Sequence, residues 1–169
     1  MGLCVLLAAG CGYHSVYAVN EAERLTVQVG QVLVPEALAA QAAASGARSE
    51  LAASGRLASG GTSAPRLVID VLRVDEASRG IHVQEGTAQP VAGGMSVAVT
   101  VRGRVFQGDA PEPSTDTGDV RRSVQLSGDA DPRADGAAYD VALRSAAERA
   151  GRAAARAALG IPEPSDETP

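Results

Sequence analysis

The sequence predicts an α+β domain: a four-stranded, mostly antiparallel sheet with two helices packed on one face, in the order strand, helix, three strands, helix. Three observations predict it. Apolar residues recur at alternate positions in four short runs, within 25–29, 67–74, 96–106 and 120–126. Two long alanine-rich segments, one before the second run and one after the fourth, carry apolar residues at spacings of three and four. Clusters of Gly, Ser and Pro separate these segments.

The first strand is Leu25-Thr-Val-Gln-Val29, with Leu25, Val27 and Val29 on one face, and Gly30 ends it. Pro35 opens a helix, where its missing N–H costs nothing, and the helix runs to Ser54 before Gly55. Ala37, Ala40, Ala44, Ala47 and Leu51 give that helix a narrow face of small residues, suited to lying close against a sheet. After a Gly/Ser loop from Arg56 to Ala64, the run Leu67 to Val74 is apolar on both faces, as a central strand is. Asp70 and Asp75 read as outward positions around it. Glu76 to Gly94 is a long connection carrying Arg79, His82 and Glu85, with Gly93-Gly94 as a turn.

Ser96 to Phe106 alternates cleanly, with Val97, Val99, Val101 and Val105 inward and Thr100, Arg102 and Arg104 outward. An acidic, proline-bearing loop from Asp109 to Asp119 joins it to the last strand, Val120 to Leu126, and the two form a hairpin. The final helix takes Asp135 as its N-cap and ends at Leu159, stopped by Gly160 and Pro162. Asp140, Arg144, Glu148, Arg152 and Arg156 step by four along one side. That stripe reads as a solvated face, with a binding surface as the alternative. Tyr139, Leu143, Ala146, Ala150, Ala153 and Ala157 lie opposite.

Composition narrows the function classes. All fifteen basic residues are Arg, and the net charge of −5 excludes a general nucleic-acid binder. No run of about 20 apolar residues offers a transmembrane helix. Gly-x-Ser-x-Gly, His-Glu-x-x-His and phosphate-loop motifs are absent, and the two histidines, His14 and His82, read as surface residues. The expectation is a protein that is not an enzyme and holds no metal or cofactor.

The N-terminal stretch carries the most specific chemistry. Leu3 to Ala9 is apolar, and Leu7-Ala8-Ala9-Gly10 leads through small residues into Cys11. The segment resembles the lipobox of bacterial lipoproteins, in which the cysteine thiol takes a diacylglyceryl group before signal cleavage. The resemblance implies that Cys11 is the first mature residue, acylated (palmitate among its chains) and inserted in a membrane leaflet. Residues 1–10 are then the signal segment, with its basic end cut off by a start codon placed too late. Residues 11–24 form a tether, 25–160 a single domain and 161–169 a disordered acidic tail. A buried apolar strand or helix end is the alternative for residues 1–10.

A signal ending in Gly10-Cys11-Gly12-Tyr13-His14, followed by this element order at this length, is similar to the LptE family of outer-membrane lipoproteins. That resemblance implies lipopolysaccharide transport and assembly at the outer membrane. It implies a plug in the large LptD β-barrel translocon and contact with lipopolysaccharide. The absence of Asp after Cys11 favours the outer membrane, periplasmic face. Family members bind lipopolysaccharide through basic residues, and Arg102, Arg104, Arg121 and Arg122 on the last two strands are the candidates here. An ordinary solvated strand face is the other reading of these four. The alternative function is a lipoprotein that regulates a periplasmic cell-wall enzyme.

Overall fold

The computed structural model describes residues 24–60, 64–78, 81–83, 90–92, 94–126 and 132–162. Among these residues eight elements follow one another: β1 (Thr26–Val32), α1 (Ala37–Ala53), β2 (Arg66–Ser78), β3 (Ile81–Val83), β4 (Pro90–Ala92), β5 (Met95–Phe106), β6 (Thr115–Leu126) and α2 (Pro132–Ala158). The main sheet has the order β1-β2-β5-β6. β1 pairs parallel with β2, while β2–β5 and β5–β6 are antiparallel. The expected α+β architecture is present, with both helices on one face: α1 over β1 and β2, α2 over β5 and β6.

The boundaries differ from the sequence reading in instructive ways. Gly30 does not end the first strand, because the backbone bulges there and pairing resumes at Val32 opposite Val71. The run from Leu67 extends to Ser78, and the connection beyond it contains a small antiparallel hairpin, β3–β4. Much of the loop expected at 109–119 is strand: β6 begins at Thr115, so the connection from β5 spans only Gln107 to Ser114. α2 starts at Pro132, not after Asp135, since proline at the first helical position has its φ already set for a helix.

Val97, Val99, Val101, Leu67, Ile69 and Val71 are fully buried beneath the helices. Burying a valine or leucine side chain is worth about 1.5–3 kcal/mol each, so these central strands supply most of the apolar driving force. The helices answer with small residues: Ala39, Ala43, Ala47, Ala146, Ala147, Ala150 and Ala154 are buried, with Leu51 and Leu143 as the larger contributions. The buried surface of α1 is wider than the expected stripe. Ala37 is exposed, while Ala39, Ala42 and Ala43 are buried because α1 packs on α2 as well as on the sheet.

β1, β2 and β6 run in one direction, so the helices that follow β1 and β6 return the same way and lie side by side. Two glycines set how closely. A Cβ on Gly46 would sit on the carbonyl of Glu148, 2.8 Å from its carbon, and one on Gly151 would sit on the carbonyl of Ala43, 2.7 Å from its carbon. No real Cβ is accommodated at such distances, so backbone meets backbone at the crossing. Further along, Arg156 donates to Glu50 at 2.7 Å, which removes Arg156 from the solvated stripe and ties the helix ends together. At the other end Tyr139 hydrogen-bonds Glu76 of β2; burial first, then this bond, pushes its pKa up to about 12.

Gly46→Ala and Gly151→Ala should each destabilise the fold by about 2–3 kcal/mol in urea unfolding, through overpacking against a rigid carbonyl. Gly136 is also within α2 but has nothing near its missing Cβ. Gly136→Ala should therefore stabilise, by about 0.5–1 kcal/mol. The same sign at all three glycines would contradict the close crossing.

Candidate functional site on the open face of the sheet

Among the described residues both helices lie on one face of the main sheet, and the chemistry of the other, open face follows from register. On β5, Thr100, Arg102, Arg104 and Phe106 point away from the buried valines. Across the ladder Asp70 lies opposite Arg102, and Phe106 opposite Arg66. Beyond the irregularity at Leu72, Arg73 lies opposite Thr100 and Asp75 opposite Ala98. An uninterrupted strand would send residues 70 and 75 to opposite faces. The bulge at Leu72 brings both carboxylates to the open side.

β6 repeats the device. Asp119 lies opposite Arg102 and Asp116 opposite Arg104, leaving Thr117 and Gly118 facing Gly103. Gly118 takes φ +68°, a conformation that suits glycine, and the Thr117 hydroxyl accepts the Gly103 amide at 2.9 Å. This bulge sets both Asp116 and Asp119 beside Arg102, and it interrupts the alternation that would have marked the start of β6.

The four expected arginines are not one cluster. Arg102, Arg104 and Arg121 share the open face, Arg121 lying opposite Thr100. Arg122 lies opposite Val99, on the helix side, because consecutive strand residues point to opposite faces. Each arginine on the open face is already engaged. Arg102 holds Asp119 at 2.5 Å and approaches Asp116 at 3.9 Å. Arg104 holds Asp70 at 2.6 Å. Asp75 receives Arg73 at 3.0 Å and Arg121 at 3.6 Å. Arg66 and Arg104 also lie over the Phe106 ring, 5.3 and 5.8 Å from its centroid.

Burial ranks these pairs. Asp70, expected as an outward position, does sit on the open face, yet only 3% of it is exposed. Its second oxygen accepts the Gln31 amide of the β1 bulge at 2.7 Å, and a Cβ on Gly30 would collide with it. Arg104 therefore neutralises a buried carboxylate that also fixes the edge strand. The Arg102–Asp119 pair is exposed and contributes little. Thr100, flanked by Arg73 and Arg121, has its hydroxyl enclosed with no hydrogen-bond partner among the described residues.

On the helix side, a shallow apolar groove of about 450 Å³ runs between β6 and α2, lined by Val124, Leu126, Ala137, Ala138, Val141 and Ala142. Arg122 is the next residue toward the middle of β6 on that face, and Val141 is 67% exposed. Among the described residues no three His, Cys, Asp or Glu side chains gather as a metal site, and no helix is long and apolar enough to cross a membrane. Cys11 and His14 lie outside the described residues, and the backbone of His82 is on β3.

Arg104→Ser should cost about 3 kcal/mol in chemical denaturation, since it leaves the Asp70 carboxylate buried without its counter-charge. Arg102→Ser should cost less than about 1 kcal/mol. Equal losses would show that burial does not rank these pairs.

No protein-family model matches the sequence, and no curated protein does. Solved structures do resemble the fold. A candidate lipoprotein from Caulobacter crescentus CB15 superposes with a TM-score of 0.56 at 16% identity, over 83% of this chain and 91% of that one. A minor lipoprotein from Acinetobacter baumannii gives 0.54 at 13% identity, over 85% of this chain and 98% of that one. At these identities the likeness is one of fold, and the chain spans nearly the whole length of both.

Proposed function

We propose that this chain is a lipoprotein of the bacterial outer membrane, anchored through acyl chains on Cys11 and facing the periplasm, that binds lipopolysaccharide and assists an LptD-type β-barrel translocon in assembling it. One conjunction carries the reading: a lipobox-like segment ending at Cys11 stands only thirteen residues before a domain whose fold is shared with two proteins described as lipoproteins. The acylated cysteine supplies the membrane attachment, at about 0.8 kcal/mol per buried methylene, and the domain supplies recognition. Its two faces suit an amphiphile with anionic groups. The open face offers Arg102 and Arg121 in exposed pairs that a phosphate can enter, and the helix side offers an apolar groove beside Arg122. The polar open face and the compact α+β body are also compatible with the polar lumen of a wide barrel.

Cys11→Ala should abolish labelling by a palmitate analogue and move the protein from the membrane to the soluble fraction. Undiminished label in the variant would end the lipoprotein reading. Purification from membranes should recover a heat-resistant 1:1 complex with a β-barrel; recovery with an inner-membrane cell-wall synthase would instead select a regulatory lipoprotein. For lipopolysaccharide, Arg102→Ser with Arg121→Ser should weaken binding by well over tenfold in titrations, because charge-assisted contacts are worth about 1.5–3 kcal/mol each. Arg144→Ser with Arg152→Ser, on the solvated face of α2, should leave it unchanged.

A further inference from the structure

We infer that the groove between β6 and α2 is a lipid site in its own right, which takes the one acyl chain of a monoacyl phospholipid and sets its phosphate at the Arg122–Arg149 end. The site requires neither lipopolysaccharide nor acylation of Cys11.

Two periodicities build the groove. On β6, Val124 and Leu126 lie on the helix side, opposite Val97 and Met95, and Arg122 precedes them on that side, opposite Val99. On α2, Ala138, Ala142 and Ser145 line it at steps of four and three, and the next step of four along that face is Arg149. α2 returns along β6, so both walls are apolar at the Leu126–Ala138 end and both reach an arginine at the other. Arg149 is exposed and forms no ion pair among the described residues. Val141, 67% exposed, is an apolar side chain that this fold leaves in water.

Length, width and charge select the occupant. A helical rise of about 1.5 Å per residue makes Ala138 to Arg149 about 16 Å long. Leu126 to Arg122 spans about 14 Å along the strand. One leaflet's share of a bilayer core of about 30 Å is about 15 Å, so the groove is one acyl chain long. Polar banks make it one chain wide. Beyond Val141 the outward stripe of α2 carries Asp140, Arg144, Glu148 and Arg152, and Arg121 and Ser123 face the other side of β6. A second chain laid beside the first would rest on charged side chains. The two guanidinium groups at one end suit a phosphate, which accepts paired hydrogen bonds from each. A choline headgroup would set a second cation against them.

The test is photolabelling of the full chain in phosphatidylcholine vesicles by lysophosphatidic acid carrying a diazirine on its acyl chain, with the labelled residues mapped by mass spectrometry. Label is expected on Val124, Leu126, Ala138, Val141 or Ala142. Arg149→Ser should lower the yield at least fivefold, and Arg122→Ser with Arg149→Ser at least tenfold. Val141→Glu, at an exposed position, should abolish labelling while far-UV circular dichroism stays unchanged. Photoreactive lysophosphatidylcholine with the same chain should label at least tenfold less. Label spread over the whole surface, equal yields from the two headgroups, or yields indifferent to Arg149→Ser and Val141→Glu would overturn the proposal. Titration of the same variants with lipopolysaccharide separates this site from the proposed function: loss of groove labelling overturns the site even where lipopolysaccharide still binds, and failure of lipopolysaccharide to bind leaves a labelled groove standing.

Discussion

The buried carboxylate of Asp70 ties the sheet together. It stands on β2, the strand paired to both β1 and β5, and its two oxygens reach one neighbour each: the Gln31 amide on β1 and the Arg104 guanidinium on β5. A carboxylate this enclosed is costly to ionise alone, and the charge-assisted hydrogen bonds on either side offset that cost. The bulge at Gly30 follows from it. The extra residue of β1 turns an amide toward a side chain where a backbone carbonyl would otherwise stand, and only glycine leaves room for the oxygen beside it. Parallel and antiparallel pairing therefore meet at one residue.

The same logic organises the uncovered face. Three irregularities, at Gly30-Gln31, Leu72 and Thr117-Gly118, each advance a strand by one position, and each brings a carboxylate into reach of a donor on another strand of the sheet. The helical face needs no such devices. There unbroken valine alternation meets alanine-rich helices, and the thickness of the layer is set by the glycine crossing of α1 and α2. One side of the sheet is specified by shape and the other by charge placement.

Much of this was legible from residue order. The strand-helix alternation, the element sequence and the buried identity of Val97, Val99 and Val101 follow from periodicity alone. What periodicity could not show is where it slips. Thr117-Gly118 hid the first half of β6, and the bulge at Leu72 hid the return of Asp75 to the side of Asp70. The three-residue strands β3 and β4 are too short for any period to register. The separation of Arg121 from Arg122 was readable, since adjacent strand residues diverge by the pleat itself. Gly46 and Gly151 were readable too, as glycines within alanine-rich helices where alanine is the better helix former.

Arginine number is a poor guide to anion binding on such a face, and burial is a better one. An incoming phosphate competes with the carboxylate a guanidinium already holds. Where that carboxylate is enclosed, releasing it leaves a buried unpaired charge, so Arg104 is held to the fold by Asp70. Where it is exposed, water resolvates it at little cost. Asp119 is 55% exposed in its pair with Arg102, and Asp75 shares itself between Arg73 and Arg121. Arg102 and Arg121 can thus change partners without loss of the sheet. Both border the enclosed Thr100 hydroxyl, Arg121 across the ladder and Arg102 two residues along β5. The exchangeable part of the face is therefore the middle of β5 and β6, and the structural part is the Asp70 end.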